Sequence, residues 1–217
     1  MIWMDENYAD TIFLENAVPD SLIENAIRDF DSQEKKYNPG QFASTNQINV
    51  VDEVTDLVRE IMNCSAECRS GNYYEHEKAY LPHTDWNFEI DNNINVVIPL
   101  RYTGELPYFV IFDQIWPNNS CSWMMDLYEP LQLGTSHLGV KGYPSEYPIL
   151  FKTGKSIDEE LHNNHLARFK KYTLEDLSGK AYPFEPGNIM IFDNRRVHAT
   201  GDGGGWKKLG LSLRFKI

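Results

Sequence analysis

Cysteine is scarce: Cys64, Cys68 and Cys121 are the only three in 217 residues. An odd, unframed set excludes a disulfide-stapled fold and points to reduced thiols, hence a cytosolic setting. Cys64 and Cys68 lie four apart on a predicted helix and read as core residues, because no histidine or second cysteine pair accompanies them. Long apolar runs are also missing. None approaches the ~18 residues of a membrane-crossing helix, and the first residues lack the basic-then-apolar pattern of an export signal. The expectation is a cytoplasmic protein without membrane association. Basic residues are in deficit, 20 against 32 acidic, giving a formal charge of −12. That speaks against a general nucleic-acid binder, which needs a basic face, but leaves room for a local basic pocket that takes a small anion. Neither repeats nor a linker divide the chain, so residues 1–217 read as one domain.

What is present is a helical first third and a strand-rich remainder. Residues 11–14 read as a short strand. Val18-Pro19-Asp20-Ser21 opens a helix with Ser21 or Asp20 as cap, and Leu22, Ile23, Ala26, Ile27 and Phe30 follow at helical spacing. A polar stretch, 31–40, breaks that pattern. A second helix is predicted over 53–64, with Val54, Leu57, Val58 and Ile61 on one face. From about residue 71 the pattern changes to strands. Residues 93–100 are β-branched and nearly continuous, as in a strand buried on both faces. Further strands are predicted at 108–112, 122–125 and 131–133. Residues 143–180 are irregular, with a polar helical segment over 157–171, and read as an insertion of the kind that forms lids or substrate walls. Residues 188–192 form a strand that 195–198 continue. Residues 208–217 alternate strictly: Lys208, Gly210, Ser212 and Arg214 on one face, Leu209, Leu211, Leu213 and Phe215 on the other. Helices first and strands after predict an α+β domain whose sheet closes into a barrel or sandwich.

One constellation carries chemistry. His83-Thr84-Asp85 places a histidine and a carboxylate two apart, on one side of a strand, so both can face one ion. One strand cannot wrap a metal, and His198, on a strand near the end of the chain, supplies a third ligand. Two histidines and a carboxylate are the set that holds one face of a non-haem iron(II) and leaves the other open. A cation beyond His198 completes the pattern. Burying the second carboxylate of a keto-acid co-substrate is costly unless an ammonium or guanidinium pairs with it. Lys208 and Arg214, on the polar face of the last strand, are the candidates.

These residues resemble the iron(II)- and 2-oxoglutarate-dependent dioxygenases, in which a His-any-Asp motif is followed by a distal His and then an Arg or Lys. Tyr74, Tyr80 and His83 are similar to the aromatic run of the prolyl-hydroxylase-type members, with Glu77 where that run has glycine. The resemblance implies a double-stranded β-helix (jelly-roll, cupin-like) core from residue 71 onward. Residues 1–70 would be N-terminal helices packed on one side, and the 143–180 insertion would precede the last two core strands. It implies His83, Asp85 and His198 as iron ligands, with Lys208 or Arg214 anchoring 2-oxoglutarate. Tyr74, Tyr80, Asn95 and Ser212 are further candidates to contact the co-substrate. Dioxygen would be consumed, ascorbate would stimulate, and a C–H bond would be hydroxylated with release of succinate and carbon dioxide. The substrate would be a small molecule, an amino acid or a peptide; the oligomeric state has no signal in the sequence. Two other functions share these features: a cupin-like metal-binding or sensory domain without turnover, and a nucleic-acid oxidative demethylase. Among remaining residues, Trp86, Asn87 and Phe88 are pocket-wall or core candidates, and either Arg195 or Arg196 can face the cavity. His162 and His165 are weak candidates for a second metal. Glu75-His76-Glu77 reads as an exposed polar strand.

Overall fold

The structure, a computed structural model, describes residues 11–34, 36–38, 42–45, 47–77, 80–83, 93–115, 156–169, 171–174, 177–201 and 205–217. The elements are β1 (Ile12–Leu14), α1 (Asp20–Ser32), β2 (Lys36–Asn38), β3 (Phe42–Thr45), α2 (Val51–Met62), β4 (Glu67–His76), β5 (Tyr80–His83), β6 (Asn93–Thr103), β7 (Tyr108–Ile115), α3 (Glu159–His165), a 3₁₀ turn (Lys171–Leu174), β8 (Gly179–Pro183), β9 (Ile189–Asp193), β10 (Arg196–Thr200) and β11 (Lys207–Lys216). They build a seven-stranded sheet in the order β1-β9-β6-β11-β4-β3-β2 and a four-stranded sheet in the order β5-β10-β7-β8. Every strand pairing is antiparallel.

Alternation along the strands sorts the side chains into three layers. On the large sheet, Leu209, Leu211, Leu213 and Phe215 of β11 face outward and bury Leu22, Ala26 and Phe30 of α1 and Val54 and Val58 of α2. On the small sheet, Val110 and Phe112 of β7 and Val197 and Ala199 of β10 face outward too, against Ile157, Leu161, Leu166, Phe169, Leu174 and Leu177. Between the sheets lie Tyr74, Val97, Met190 and Phe192 from the large sheet and Phe109 and Ile111 from the small one, with Phe184.

Several expectations are corrected. Neither Asp20 nor Ser21 caps α1: Pro19 is the cap residue, and its carbonyl accepts from the N–H groups of Leu22 and Ile23. The second helix starts at Val51 and stops at Met62, because Asn63 takes a left-handed conformation, φ 49°. Cys64 therefore follows the helix while Cys68 stands in β4, and both are half-buried free thiols. The polar stretch after residue 31 is not simply a break, since Lys36–Asn38 pairs with Phe42–Thr45. β9 and β10 are not one strand. Asp193 accepts from the Arg195 backbone N–H at 2.8 Å, the chain turns there, and β10 joins the other sheet. The partners of β10 are β5 and β7, not β11. The 143–180 window overlaps β8, and three strands follow it rather than two. Its described part is packed on the outer face of the small sheet by its own apolar residues, away from the interior, so it is not a wall of the inter-sheet space. The strands predicted at 122–125 and 131–133, and Cys121, lie outside the described residues.

A polar knot fastens the helices to the large sheet. Asp29 of α1 accepts from the Tyr73 hydroxyl at 2.8 Å, the Asn49 backbone N–H at 2.8 Å and the Gln33 amide at 2.8 Å. Burial pushes the Asp29 carboxyl up, but these hydrogen bonds outweigh it and hold the group below its ordinary value of 3.8. Burial, then Asp29 itself, pushes the Tyr73 phenol far up. We expect Asp29→Ala to destabilise the fold by about 2–3 kcal/mol, because it strands a buried hydroxyl and a helix-start N–H. Urea unfolding measures this. The carboxylate's contribution is fully present above pH 3.8 and lost as pH falls through the lowered native value. The gap between wild type and Asp29→Asn should therefore close only in strong acid.

Candidate metal centre and anion pocket

β10 projects Val197 and Ala199 outward, so His198 and Thr200 point between the sheets. β5 lies beside β10 with His83 directly opposite His198, and the two imidazole centroids are 4.2 Å apart. The pairing is irregular on both sides of His198, as strands often are where a side chain must be aimed at a site. His198 is buried, with the Phe109 ring stacked at 5.5 Å and Phe192 tilted at 5.1 Å. Its Nδ1 donates to the Arg196 carbonyl at 3.0 Å. That bond fixes the tautomer and makes Nε2 the lone-pair nitrogen, the arrangement of a metal-ligating histidine with its ring held from behind. Asp85 lies outside the described residues, as do Thr84, Trp86, Asn87 and Phe88. Among the described residues no three His, Cys, Asp or Glu side chains are grouped to hold a metal. The facing imidazoles are chemically suited to be two members of a metal ligand set.

Opposite the pair, on the large sheet, stands Lys208, fully buried. Its Nζ donates to Thr200 Oγ1 at 3.2 Å. The rings of Phe184, Phe109 and Trp206 surround it, with centroids at 4.2, 5.5 and 5.5 Å. No carboxylate pairs with it among the described residues. Burial pushes its pKa down from 10.5 to about 7. Gly210, two residues along the same face, makes the room. A Cβ there would lie 2.5 Å from Cζ and 2.6 Å from the hydroxyl of Tyr74, which crosses at that point.

The remaining predicted residues scatter. Arg214 is six residues beyond Lys208, about 20 Å along a strand, and its guanidinium lies 3.5 Å from Ser70 Oγ. The two cations therefore belong to different neighbourhoods. Asn95 is fully buried and paired in register with Arg214; Ser212, half-buried, is in register with Val97 and Asn72. Tyr74 is buried on the interior face. Tyr80 stands opposite Thr200 in register, with its side chain outside the described set. Neither arginine before His198 serves the interior: Arg195 is ion-paired with Asp193, and Arg196 donates to the Asp113 carbonyl at 3.0 Å. His162 Nε2 donates to the Phe169 carbonyl and His165 packs on Tyr108, so these two act within the packing of α3.

His76 is the residue that sequence reasoning misplaced. Glu75 faces outward to Arg101 and Lys207, and Glu77 is exposed, but His76 shares the inner face with Tyr74, its ring 4.9 Å away. Burial, then the positive charges of Lys208 and His83, hold its pKa well below 6.5. The signal was the two-residue step from Tyr74. Thr200, Trp206, Phe109 and Phe184 were also missed. Thr200 and Trp206 sit two residues from His198 and Lys208, which is their one sequence mark.

No family model and no curated protein sequence matches this chain. Solved structures do. The non-heme alpha ketoglutarate dependent epimerase SnoN from nogalamycin biosynthesis superposes with a TM-score of 0.57 at 10% identity, covering 96% of this chain and 79% of that one. HygX from Streptomyces hygroscopicus, solved with nickel and 2-oxoglutarate bound, gives 0.54 at 10%, covering 96% and 83%. An oxidoreductase of the 2OG-Fe(II) oxygenase family from Burkholderia pseudomallei gives 0.52 at 10%, covering 95% and 84%. The chain has the fold of the iron(II)/2-oxoglutarate-dependent oxygenases, a jelly-roll of mostly antiparallel sheets with few helices. Among the described residues no helix is long and apolar enough to cross a membrane.

The uncompensated lysine makes a pH prediction. Between pH 7 and 10.5 the unfolded chain keeps a proton that folded Lys208 has released. Stability therefore rises with pH across that window, and the cost of burying the cation is fully present below it. Lys208→Met should be more stable than wild type below pH 7 and lose this advantage towards pH 10.5. Denaturant midpoints across the range test it; a constant difference would rule out burial of the charge as the cause.

Proposed function

We propose that this chain is an iron(II)- and 2-oxoglutarate-dependent oxygenase that hydroxylates an unactivated C–H bond of a small molecule, amino acid or peptidyl residue. Succinate and carbon dioxide are the co-products. The observation that carries this reading is a fully buried ammonium with no carboxylate partner among the described residues, in the same interior as two facing imidazoles. In this reading His83, His198 and Asp85 hold iron(II), which when bound supplies the dioxygen chemistry that couples decarboxylation of the keto acid to C–H oxidation.

The chain's own residues do the rest. The Arg196 carbonyl keeps His198 in the ligating tautomer. Lys208 pairs with the distal carboxylate of 2-oxoglutarate. Thr200 accepts from Lys208, so its own hydroxyl proton is left to donate to that carboxylate. Arg214 is the lesser candidate as anchor, because it stands far from Thr200 along its strand. Tyr74, Tyr80, Asn95 and Ser212 are assigned supporting contacts to the co-substrate. Phe109 and Phe192 exclude water beside His198, which strengthens every charge interaction there. Oxidation need not end in hydroxylation in this fold, since SnoN is an epimerase. The carboxylate in the predicted ligand triplet favours hydroxylation over halogenation, which needs that ligand position open for halide. The chain's net charge of −12 counts against a nucleic-acid substrate.

Purified protein with iron(II), ascorbate and 2-oxoglutarate should form succinate, slowly alone and faster when a screen of amino acids, peptides and small metabolites finds the substrate. His198→Ala and His83→Ala should abolish this. Lys208→Met should raise the KM for 2-oxoglutarate about 30-fold or more, the cost of removing one partner of a buried charge pair. Arg214→Met should change it less than about threefold. Metal binding without 2-oxoglutarate affinity would instead indicate a binding or sensory domain, and unchanged succinate formation in His198→Ala would refute the assignment.

A further inference from the structure

Trp206 is almost fully buried, yet its indole Nε1 has no hydrogen-bond partner among the described residues. An indole N–H is only a donor, and leaving it unbonded in the interior is costly. Two residues on in the same extended segment is Lys208, whose ammonium lies 5.5 Å from the Trp206 ring. Lys208 in turn bonds Thr200, which has a proton to give. The ammonium, the hydroxyl and the indole that carries the third donor thus belong to one aromatic enclosure, and among the described residues no carboxylate is ion-paired with the ammonium.

We propose that Trp206 is a binding residue for the keto-acid co-substrate, its indole N–H donating to the distal carboxylate that Lys208 and Thr200 also hold. This rests on the 2-oxoglutarate reading above and extends it. Each carboxylate oxygen has two lone pairs, so one distal carboxylate has acceptor sites for all three donors. A keto acid with a single carboxylate leaves all three unanswered. The pocket therefore discriminates by the second carboxylate, and Trp206 carries part of that discrimination.

The test uses the full chain loaded with zinc(II), which binds the ligand without turnover, and calorimetric titration with 2-oxoglutarate and with pyruvate. Trp206→Phe keeps a ring in the enclosure and removes the donor. It should weaken 2-oxoglutarate about tenfold or more, the usual loss for a hydrogen bond to a charged group, and leave pyruvate unchanged. Equal weakening of both ligands, or of neither, would overturn the proposal. In case the variant does not fold, the wild-type indole N–H resonance of Trp206 is followed by NMR, assigned by changing the other four tryptophans to Phe in turn. It should move downfield with 2-oxoglutarate and stay with pyruvate; no shift with 2-oxoglutarate would overturn the assignment. A wild-type protein that binds zinc(II) but not 2-oxoglutarate would overturn the underlying reading itself, an outcome distinct from the others.

Discussion

An ammonium group held between two sheets, with one hydroxyl to bond and aromatic faces for neighbours, is the constraint around which the interior is arranged. Water would solvate that charge far better, and the ring faces of Phe184, Phe109 and Trp206 return only part of the loss. The consequences spread outward. Burial, then the positive charges of Lys208 and His83, push the His76 pKa down. Gly210 must lack a side chain so that Tyr74 can cross the strand beside the lysine. Thr200 must be an oxygen-bearing residue, since it is the ammonium's one hydrogen-bond acceptor among the described residues. In a chain of net charge −12 the described residues give this pocket a cation and a single acceptor for it, and a bound carboxylate would answer both.

The buried ammonium opposes stability, so the apolar residues around it and on the two outer faces have to supply it. Most of those residues lie on the outer faces. Helices α1 and α2 bury the outward residues of β11, and the segment through α3 buries those of β7 and β10. Because side chains alternate, each strand serves both ends at once: Ala199 anchors β10 from outside while His198 and Thr200 reach inward. The sheets are clamped from their backs, and the space between them is free to hold histidines and a lysine. The same division explains why the described part of the 143–180 window, which the sequence presents as an insertion, packs as scaffold. Its apolar residues had nowhere to go but the exposed back of the small sheet.

What could be read from the sequence followed this alternation where it was undisturbed. The two faces of β11 were legible because ten residues keep period two without interruption. His83 and His198 were legible as strand residues of the right chemistry, and their adjacency across β5 and β10 gives them a common neighbourhood. The turn at Asn194 and Arg195 was not legible. It contains neither glycine nor proline, and it is made by Asp193 bonding the backbone two residues on. Missing it joined β9 to β10, and so placed the distal histidine on a strand beside the last one. His76 was misread for the opposite reason. Its two acidic neighbours gave the segment a polar average, although its parity with Tyr74 put it inside. Lys208 and Arg214 shared a face in the sequence, and only the three-dimensional arrangement separates one beside Thr200 from one beside Ser70.

The division of labour between the sheets bears on the length of the co-substrate. His83 and His198 belong to the small sheet and Lys208 to the large one, yet the lysine ends on Thr200, two residues along β10 from His198. Its side chain and the Thr200 hydroxyl meet between the sheets, whose ordinary stacking distance is about 10 Å. The distance that matters is then set along β10 rather than across the gap. Two residues of a strand advance about 6.5 Å, so under the proposed function an anion held at Thr200 would lie roughly that far along β10 from His198. A five-carbon keto dicarboxylate has a chelating end and a carboxylate separated by two methylenes, and it can reach from one to the other. Under the proposed function, shortening the chain by a methylene would draw the carboxylate away from the lysine, and lengthening it would drive the extra carbon against Phe184 and Trp206, which already pack around the ammonium. Strand geometry at one pair of residues would then select the keto acid by its length.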